Sequence, residues 1–481
     1  MDNLFGLLAS MAYTLLVIGI ATLVAKFSEG ATETSRKVVH ILVGHWVFLT
    51  PLFTELWAVV LVPFTFILIN SLSLKYTLIK AMERDDDSLG TVYYAVSLFV
   101  LSGLGFLLGY RALPYIGILT MAYGDGFAAI TGKAFGKRKP FPFAKEKTLV
   151  GTLTVAFFAF FITALCLYAF QGDFSRAFSL PLVLFIAILT AFFSAFMELI
   201  GKRGCDNLTL PMGAGLFAVI SYAYGTVPYF LYLLISLGVL LYAYTKQSIT
   251  EDGMVAALLT AVTLYGLGGP YIGWSLILFF LLGTGVSKLK NPFKIAAEKT
   301  QEHPGPRNWK QVLANSLPAV ILVWCYYFLG DPLYLFLSLV VFSAASADTF
   351  SSEIGMMAKG KVYHILTGKP LKNGVSGGVT LQGLLAGLLG SILLSIPIYL
   401  RFGLQAFFLG ILLGILGSLL DSVLGATLQR RYEDLSGRLQ DAPLHAKDLP
   451  KKGLQFISNN TVNLLSLTLV ALIGYFLFVK S

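Results

Sequence analysis

Acidic side chains at membrane depth are the residues of this 481-residue chain whose types and spacing best suit chemistry. A charged side chain at the centre of a bilayer costs ~2.5–3.5 kcal/mol on insertion scales, so such residues usually face a polar cavity. For Asp125 and Asp348 we favour a functional role, because small neighbouring residues permit close approach of the backbone. The alternative is that these acids only hydrogen-bond neighbouring helices. The acids within or at the ends of apolar segments are Asp125, Glu198, Asp348, Glu353 and Asp421.

A loop at positions 132–148, with six Lys or Arg residues and one acid, follows Asp125. Carboxylates that hold Mg²⁺, clustered cations and glycine-rich backbone are the parts that bind a polyphosphate. An ordinary basic loop that attracts anionic lipid is the alternative. The segment 147–151 is expected to open the next helix, whose N-terminus would favour an anion, and this favours phosphate binding. The predicted phosphate contacts are Gly124, Gly126, Lys133, Lys137, Lys147 and Gly151.

The second half of the chain repeats this combination of residue types. Lysines, among them Lys372, follow Asp348 and Glu353, and the segment 374–378 is expected to open a helix. Asp348 and Glu353 are five positions apart, so both would reach one site only if the helix ends or loosens there.

Two equal intervals relate the halves. Asp125 and Glu198 are 73 residues apart, and so are Asp348 and Asp421. The equal spacing predicts a duplicated unit in parallel orientation, and therefore two active sites. Similar lengths of spans and loops would also produce it by coincidence.

Several other kinds of site do not fit the sequence. The three cysteines are scattered without CxxC spacing, which argues against a disulfide framework and a cysteine-based zinc site. The P-loop, HExxH and GxSxG motifs do not occur. The run 85–87 of aspartates lacks the spacing of the soluble prenyl synthase motif, and a solvated loop is favoured. Two small-xxx-small patterns, Gly383 with Gly387 and Gly410 with Gly414, predict helix packing.

The elements that position these residues are membrane helices. The chain is 56% hydrophobic and 12% charged, about half the charged fraction of a typical soluble protein. Mean hydropathy is +0.77, and apolar runs long enough to span a bilayer recur throughout. We predict an all-α, polytopic integral membrane protein with about 14–16 transmembrane helices. The segments start near 4, 38, 56, 92, 112, 149, 181, 209, 228, 254, 271, 312, 333, 376, 404 and 461, and those at 38–52 and 254–268 are candidates for re-entrant segments.

The distribution of positive charge predicts the orientation. Of 35 Lys and Arg residues, 31 fall in one alternating set of loops, and the other set holds only Arg111, Arg176, Arg401 and Lys480. By the positive-inside rule the rich set faces the cytoplasm and both termini lie outside. The cytoplasmic loops account for the net charge of +10, so this charge does not indicate binding to nucleic acid. A break near 225–228 divides the chain into predicted domains 1–227 and 228–481, in what we expect to be a prokaryotic plasma membrane.

An ordered set of motifs spans residues 30–225, carried by Arg36, Lys37, His40, Gly124, Asp125, Gly126, Lys133, Lys137, Lys147, Gly151, Glu198, Asp206 and Asn207. This set resembles the polyprenol kinase family, which includes phytol and dolichol kinases and is related to phosphatidate cytidylyltransferase. The resemblance implies CTP as phosphoryl donor and Mg²⁺ as cofactor.

A second ordered set spans residues 235–481, carried by Arg307, Gln311, Asn315, Asp348, Glu353, Gly374, Gly377, Gly378, Asp421, Asn459 and Asn460. This set resembles the membrane family typified by phytyl-phosphate kinase, which is thought to use CTP likewise. Together the resemblances imply a fusion of consecutive steps. The first half would phosphorylate a prenyl alcohol such as phytol or geranylgeraniol, and the second would convert the monophosphate to the diphosphate.

The resemblances also imply roles for individual residues. The implied metal ligands are Asp125, Asp348 and Glu353. The implied catalytic residues are Asp125, Glu198, Asp348 and Asp421. Glu198 would be a second metal ligand or the base that orients the lipid hydroxyl. Contacts to nucleotide or phosphate are implied for Arg36, Lys37, His40, Gly124, Gly126, Lys133, Lys137, Lys147, Gly151, Asp206, Asn207, Arg307, Lys372, Gly377, Asn459 and Asn460.

Two alternatives remain open from the sequence. A cytidylyltransferase that makes a CDP-activated lipid would use similar residues. A secondary transporter, from another functional class, also carries midplane acids on repeated spans. The expected partners are prenyl lipids, CTP and the bilayer, and the oligomeric state is not predicted.

Overall fold

The computed structural model describes residues 3–27, 33–76, 89–140, 144, 146–201, 204–298, 300–301, 305–433, 439–443 and 449–479. Within these ranges, thirteen helices are long and apolar enough to cross a membrane. The predicted all-α polytopic class is confirmed. The chain forms two compact units, Met1–Gly225 and Thr226–Ser481.

The first unit is a bundle of helices with a π-helical turn at its centre. That turn, Thr120–Asp125, joins two α-helices into one span over residues 112–135. In this span 78% of the apolar window is buried. The elements in chain order are α1 Asn3–Phe27, α2 Glu33–Gly44, a 3₁₀ helix His45–Leu52, α3 Leu56–Tyr76, α4 Gly90–Leu108, α5 Ala112–Leu119, the π-helix, α6 Gly126–Phe135, α7 Leu149–Ala169, a 3₁₀ turn Gln171–Asp173, α8 Leu180–Ile200 and α9 Asp206–Tyr224.

The second unit has one equally buried span, α15, and two very small sheets in its loops. Strands β1, β2 and β3 form an antiparallel sheet in the order β2-β1-β3, and β4 pairs with β5. The elements are α10 Val227–Thr245, α11 Glu251–Gly268, α12 Pro270–Lys288, α13 Pro292–Glu298, α14 Trp309–Leu329, α15 Pro332–Gly355, β1 Val362–His364, β2 Pro370–Leu371, β3 Gly378–Val379, α16 Leu381–Phe402, α17 Leu404–Thr427, β4 Tyr432–Glu433, β5 Leu439–Gln440 and α18 Asn459–Val479.

The two most buried spans are those that carry Asp125 and Asp348. Each has 78% of its apolar window buried, against 17–50% for the other described spans. A span surrounded by other helices can hold a carboxylate away from lipid, which lowers the cost of placing the charge at that depth. Both acids therefore lie on a span that neighbouring helices shield from lipid.

Polar caps define where several helices begin. The side chain of Thr148 accepts a hydrogen bond from the Gly151 amide at the start of α7, as expected for a helix opening at this point. Asn308 and Gln311 form a reciprocal capping box at the start of α14. Thr380 caps α16. These caps satisfy amide groups that would otherwise lack partners at the helix ends.

Small residues let α16 approach its two neighbours closely. A Cβ atom added at Gly383 would lie 2.7 Å from the Ser351 carbonyl oxygen of α15, and one at Gly387 would lie 3.1 Å from that of Ala347. A Cβ atom at Gly414 of α17 would overlap the hydroxyl oxygen of Ser391 in α16. The predicted role of these glycines in helix packing is confirmed.

Each of the sixteen predicted segments overlaps a helix, but α2, α9 and α11 are not among the thirteen long apolar ones. Helix α2 is too short to be counted as a span, because it has 12 residues. In α11 the acidic first turn lowers the mean hydropathy, and in α9 several polar residues and glycines lower it. The expectation that segment 374–378 opens a helix is wrong, because this segment forms a turn leading into β3 and α16 begins at Leu381. The aspartates at 85–87 lie outside the described residues.

Candidate functional site

Asp125 lies at the end of the π-helical turn and faces α2. Lys37 donates a hydrogen bond from Nζ to Asp125 Oδ2 at 2.6 Å, and Nε2 of His40 lies 3.4 Å from the same oxygen. Lys37 and His40 are three positions apart on α2 and so project from one face of that helix. Single π turns inside α-helices occur frequently at functional sites.

A second ion pair lies at the same end of the unit. Lys147, just before α7, approaches Glu198 Oε1 at 2.5 Å and Asp206 Oδ2 at 3.6 Å. Burial lowers the pKa of Lys147, but the negative charges of Glu198 and Asp206 outweigh this and raise it above its ordinary value. The other oxygen of Glu198, Oε2, is buried and has no hydrogen-bond partner among the described residues.

The two ion pairs form one group, because Asp125 interacts electrostatically with both Lys147 and Glu198. The group thus contains three acids, two lysines and a histidine. We call this group the first charge cluster, and its members are Lys37, His40, Asp125, Lys147, Glu198 and Asp206.

The glycines of the first half have packing roles. A Cβ atom added at Gly126 would lie 2.7 Å from Ile41, and one at Gly151 would lie 3.1 Å from the Ala128 carbonyl oxygen. The amide of Gly126 is bonded within its helix, and that of Gly151 is bonded to the Thr148 side chain. Gly124 is buried within the π-helical turn. The structure therefore explains these glycines by helix packing and not by open amide groups for phosphate.

The remaining predicted residues of this half lie around the cluster or apart from it. Asn207 donates to the Gly90 carbonyl oxygen at 3.0 Å and so fixes α9 against α4. Lys133 and Lys137 are exposed, and neither forms an ion pair within the described ranges. The side chain of Arg36 lies outside the described residues.

The second unit contains a cavity of about 750 Å³, within the size range of small-molecule sites. It is lined at one side by the ends of α12, α14, α15, α17 and α18. Lys372 is not among its lining residues in the described part of the chain. The predicted site residues that line it are Arg307, Asp348, Glu353, Gly377, Asp421, Asn459 and Asn460.

Asp348 of α15 and Asp421 of α17 are close enough to repel one another. Ser418 hydrogen-bonds to Asp348, and Ser466 of α18 donates to Asp421 Oδ2 at 3.0 Å. With its amide nitrogen turned toward Asp421, Asn463 donates to the same oxygen at 3.2 Å. In the described part of the chain, neither carboxylate forms an ion pair with Lys, Arg or His. Two such carboxylates fit a hard divalent cation.

Glu353, a predicted metal ligand, is paired with a lysine. Lys294 donates to Glu353 Oε2 at 2.6 Å, and Ser287 donates to Oε1 at 2.7 Å, so both carboxylate oxygens are engaged. The helix does not end between Asp348 and Glu353, because α15 continues to Gly355. Five helical positions separate the two side chains by about 140° around the helix axis. Both residues still line the cavity, because the cavity extends to the end of α12.

Arg307 lines the cavity and contacts aromatic rings. Its guanidinium carbon is 5.9 Å from the ring centre of Phe279 and 5.7 Å from that of Phe280, within the range of a cation–π contact. Its backbone pairs with Ser248 and Thr250. Burial lowers the pKa of Arg307, and the negative charge of Glu353 opposes this shift. An arginine remains charged under such conditions, so it supplies a fixed cation to the cavity.

Sequence reasoning missed several buried residues of this unit. Lys294 is fully buried, although in the sequence it is one of many lysines in a basic loop. Gln429, Arg431 and Asp441 are 2%, 3% and 4% exposed. They lie in loops with no apolar periodicity, so no sequence signal marked them as buried.

The chain matches one family of integral membrane proteins and several known proteins. Residues 234–471 match a family described as integral membrane protein DUF92. Over 204 residues, 42% of this chain and 85% of the relative, it is 34% identical to the phytol kinase of Synechocystis sp. (strain ATCC 27184 / PCC 6803 / Kazusa). It is 30% identical over 157 residues to Protein PGR of Arabidopsis thaliana, covering 30% of this chain and 54% of that protein. No solved structure matches the chain.

A third relative is the probable phytol kinase 1, chloroplastic, of Glycine max, 32% identical over 199 residues, which cover 37% of this chain and 63% of that protein. The predicted resemblance to phytol kinases is therefore confirmed. Since the match to the Synechocystis phytol kinase covers most of that protein, this multi-pass membrane chain belongs to the phytol kinase family.

Proposed function

We propose that the chain is a bifunctional, CTP-dependent kinase of prenyl lipids. The observation that carries this proposal is that each compact unit has its own pair of interacting intramembrane acids, Asp125 with Glu198 and Asp348 with Asp421. The similarity to phytol kinases supports phosphorylation of a prenyl alcohol. The acids of the second unit support a separate site for the next phosphorylation.

The first unit phosphorylates a prenyl alcohol such as phytol or geranylgeraniol. The alcohol oxygen attacks the terminal phosphorus of CTP in line, the bond to the bridging oxygen breaks, and CDP leaves. Lys37 and Lys147 neutralise the donor phosphates. Glu198 accepts the hydroxyl proton through Oε2, the oxygen that has no partner among the described residues. Positioning and charge neutralisation supply most of the catalysis in such transfers.

The second unit transfers a phosphoryl group to the prenyl monophosphate. An oxygen of the lipid phosphate attacks the terminal phosphorus of CTP, and CDP again leaves. Asp348 and Asp421 would hold Mg²⁺, which supplies neutralising charge on the donor phosphates when bound. No group of three or more His, Cys, Asp or Glu suited to a metal occurs in the described ranges. Mg²⁺ commonly uses one or two carboxylates together with substrate phosphates and water, so the pair is sufficient.

The metal fits the second unit better than the first. Asp125 already accepts a hydrogen bond from Lys37 at 2.6 Å, so a metal ion there must displace the lysine. The Asp348–Asp421 pair has no such competitor among the described residues. Both sites are expected to face the cytoplasm, where CTP is available, because the basic loops fall on that side.

The test is a product assay with the purified full-length protein, using CTP labelled on the terminal phosphate, prenyl alcohols and prenyl monophosphates. Asp125→Asn should abolish conversion of the alcohol and leave conversion of the monophosphate intact. Asp348→Asn should do the opposite. Loss of both activities in either variant, with the fold preserved, would contradict separate sites.

The same assay separates the alternatives. Release of pyrophosphate instead of CDP, with label from the cytidine moiety in the lipid, would identify a cytidylyltransferase. Ligand-dependent transport in proteoliposomes without CTP turnover would identify a transporter.

A further inference from the structure

The cavity of the second unit has an apolar end that neither proposed phosphorylation step uses. Its lining there comes from α10, α11 and α12, which pack against one another through a common apolar cluster. We call this end the apolar arm, and its residues are Ser236, Ala261, Leu276, Ile277, Phe279 and Phe280.

The apolar arm lies deeper within the helices than the paired acids. At 1.5 Å per helical residue, Asp348 and Asp421 lie about 10 and 9 Å from the last residues of α15 and α17. Ser236, Ala261 and Leu276 lie about 14, 15 and 18 Å from the last residue of α10, the first of α11 and the last of α12. The loops at these helix ends also line the cavity. The cavity therefore runs from the polar loops into the apolar interior of the unit.

The position of Leu276 shows that the apolar arm is open space and not only packed core. Trp274 and Leu281 are 42% and 49% exposed and mark the lipid-facing side of α12. Leu276 projects about 140–160° away from both around the helix axis. It is nevertheless only half-buried, and it lines the cavity. Since its side of α12 faces the other helices, its remaining exposure is to the cavity.

The apolar arm has almost no hydrogen-bonding capacity in its side chains. Ser236 is the one arm residue with a polar side chain, and its hydroxyl donates to the Tyr232 carbonyl oxygen at 2.8 Å. A phosphate or a nucleobase that entered this end would lose its hydrogen bonds to water without replacement, which is costly. A hydrocarbon chain carries no such cost, and it gains by leaving water.

Arg307 lies at the boundary between the apolar arm and the charged part of the cavity. Its guanidinium carbon lies 5.9 and 5.7 Å from the ring centres of Phe279 and Phe280, which belong to the arm. The same side chain interacts electrostatically with Glu353 of α15. A guanidinium binds phosphate oxygens well. The cavity thus suits a ligand with an anionic head and an apolar tail.

We propose that the apolar arm holds the prenyl chain of the lipid monophosphate, with the phosphate at Arg307 and Leu276 at the deep end of the chain site. This inference rests on the proposed function in so far as a prenyl monophosphate is the second substrate. Leu276 is then a specificity-determining residue, because its side chain sets the room available to the chain at that depth.

The first measurement records binding without turnover. The full-length protein in nanodiscs, with Mg²⁺ and without CTP, is irradiated with geranylgeranyl monophosphate that carries a diazirine on its second isoprene unit. Label should appear on Leu276 and Phe280, and a tenfold excess of unmodified geranylgeranyl monophosphate should reduce it about tenfold by mass action. Inorganic phosphate and phosphatidic acid at the same excess should leave it unchanged. Label on the lipid-facing Leu281 should not respond to any competitor.

The second measurement follows phosphorylation of the monophosphate in variants. Leu276→Trp narrows the arm and should raise KM for geranylgeranyl monophosphate about tenfold with kcat little changed, as for the loss of ground-state binding. Leu281→Trp is the matched control, because Leu281 lies on the same helix but does not line the cavity, and it should leave both values unchanged.

An enlarged arm gives a test by gain of activity, which misfolding does not produce. A monophosphate whose second isoprene unit carries a phenyl group should be a poor substrate for the wild type. Leu276→Ala makes room for this group and should raise kcat/KM for that substrate at least about tenfold. Size-exclusion profiles establish that all variants are folded.

Each outcome is decisive. If the label on Leu276 is absent, or is reduced equally by phosphatidic acid, the inference is overturned even when the monophosphate is phosphorylated. The same holds if Leu276→Trp and Leu276→Ala both keep the substrate preference of the wild type. If only the prenyl monophosphate competes for the label but no phosphorylation occurs, the chain site stands and the proposed function fails.

Discussion

Lys294 joins two helices of the second unit through one fully buried ammonium group. Its Nζ lies 2.6 Å from Glu353 Oε2 on α15. It also donates to the carbonyl oxygens of Ser287 and Leu289, at 2.9 and 2.8 Å, where α12 ends. A cation at a helix C-terminus satisfies carbonyl groups that lack helical partners. The lysine thus neutralises an acid and caps a helix at once.

The substitution Lys294→Met should destabilise the second unit by about 3–5 kcal/mol, the usual cost of leaving one partner of a buried ion pair unpaired. Unfolding by denaturant in detergent measures the effect. The double variant Lys294→Met with Glu353→Gln should recover part of the loss, because the uncompensated charge is then absent.

The matched control is Lys290→Met. Lys290 pairs with Glu298 at 3.1 Å, but its side chain is 55% exposed. Exposed pairs contribute at most about 1 kcal/mol. Equal losses for the two lysines would show that burial does not set the strength of the Lys294 interaction.

The substitution Lys147→Met should lower kcat for alcohol phosphorylation about 10²–10³-fold, as for the loss of one group that stabilises developing charge. Lys147→Arg should retain part of the activity, whereas Lys139→Met, an exposed lysine of the same loop, should retain all of it. Lys147→Met also leaves the Glu198 carboxylate without its partner. The double variant Lys147→Met with Glu198→Gln removes that charge and serves as the folded reference. Full activity in Lys147→Met would remove this lysine from the site.

Stability of the second unit should depend on pH through Asp441. Burial raises the pKa of this carboxyl above its ordinary 3.8, against the opposing effects of Ser376 and Arg431. The folded state therefore binds the proton more tightly, and the contribution to stability is full below pH 3.8 and is lost as the pH rises through the folded pKa.

The thermal unfolding midpoint of the wild type, relative to that of Asp441→Asn, should accordingly rise as the pH is lowered from neutral toward 3.8. Taking the difference between the two proteins removes the contributions of other carboxylates. Parallel curves over this range would show that Asp441 titrates as it does in the unfolded chain.

Close helix packing gives a prediction for Gly414. A methyl group there overlaps the hydroxyl oxygens of Ser343 and Ser391, which bond to each other at 2.9 Å. Gly414→Ala should cost about 1–3 kcal/mol, as overpacking of a filled interior does. Gly238→Ala is the control, since its added Cβ atom meets no atom within 4 Å, and it should be neutral or stabilising. Denaturant unfolding compares the two.

Much of the fold was predictable because membrane helices must satisfy their backbone hydrogen bonds internally and need long apolar runs. The acids Asp125 and Asp348 were predictable for the same reason, since a charge within such a run stands out. The equal 73-residue intervals also identified the partners Glu198 and Asp421, which interact with those acids in their own units.

The rest depends on contacts that periodicity does not encode. The ion pair of Lys294 with Glu353 forms between the short helix α13 and α15, which are distant in the sequence. The π-helical turn before Asp125 and the cap made by Lys294 leave no compositional mark. Gly126 and Gly151 were expected to contact phosphate because glycine serves both for close packing and for open backbone, and only the structure separates the two uses.

The first charge cluster has a consequence for the order of binding. Its two lysines are already bonded to carboxylates, Lys37 to Asp125 and Lys147 to Glu198. A polyphosphate that engages these lysines takes them from their present counter-ions and leaves the carboxylates exposed to one another. The exchange is then favourable only if another cation arrives with the nucleotide to take the place of the lysines. The resting ion pairs would therefore discriminate against a metal-free nucleotide and make the nucleotide and its cation enter as one species.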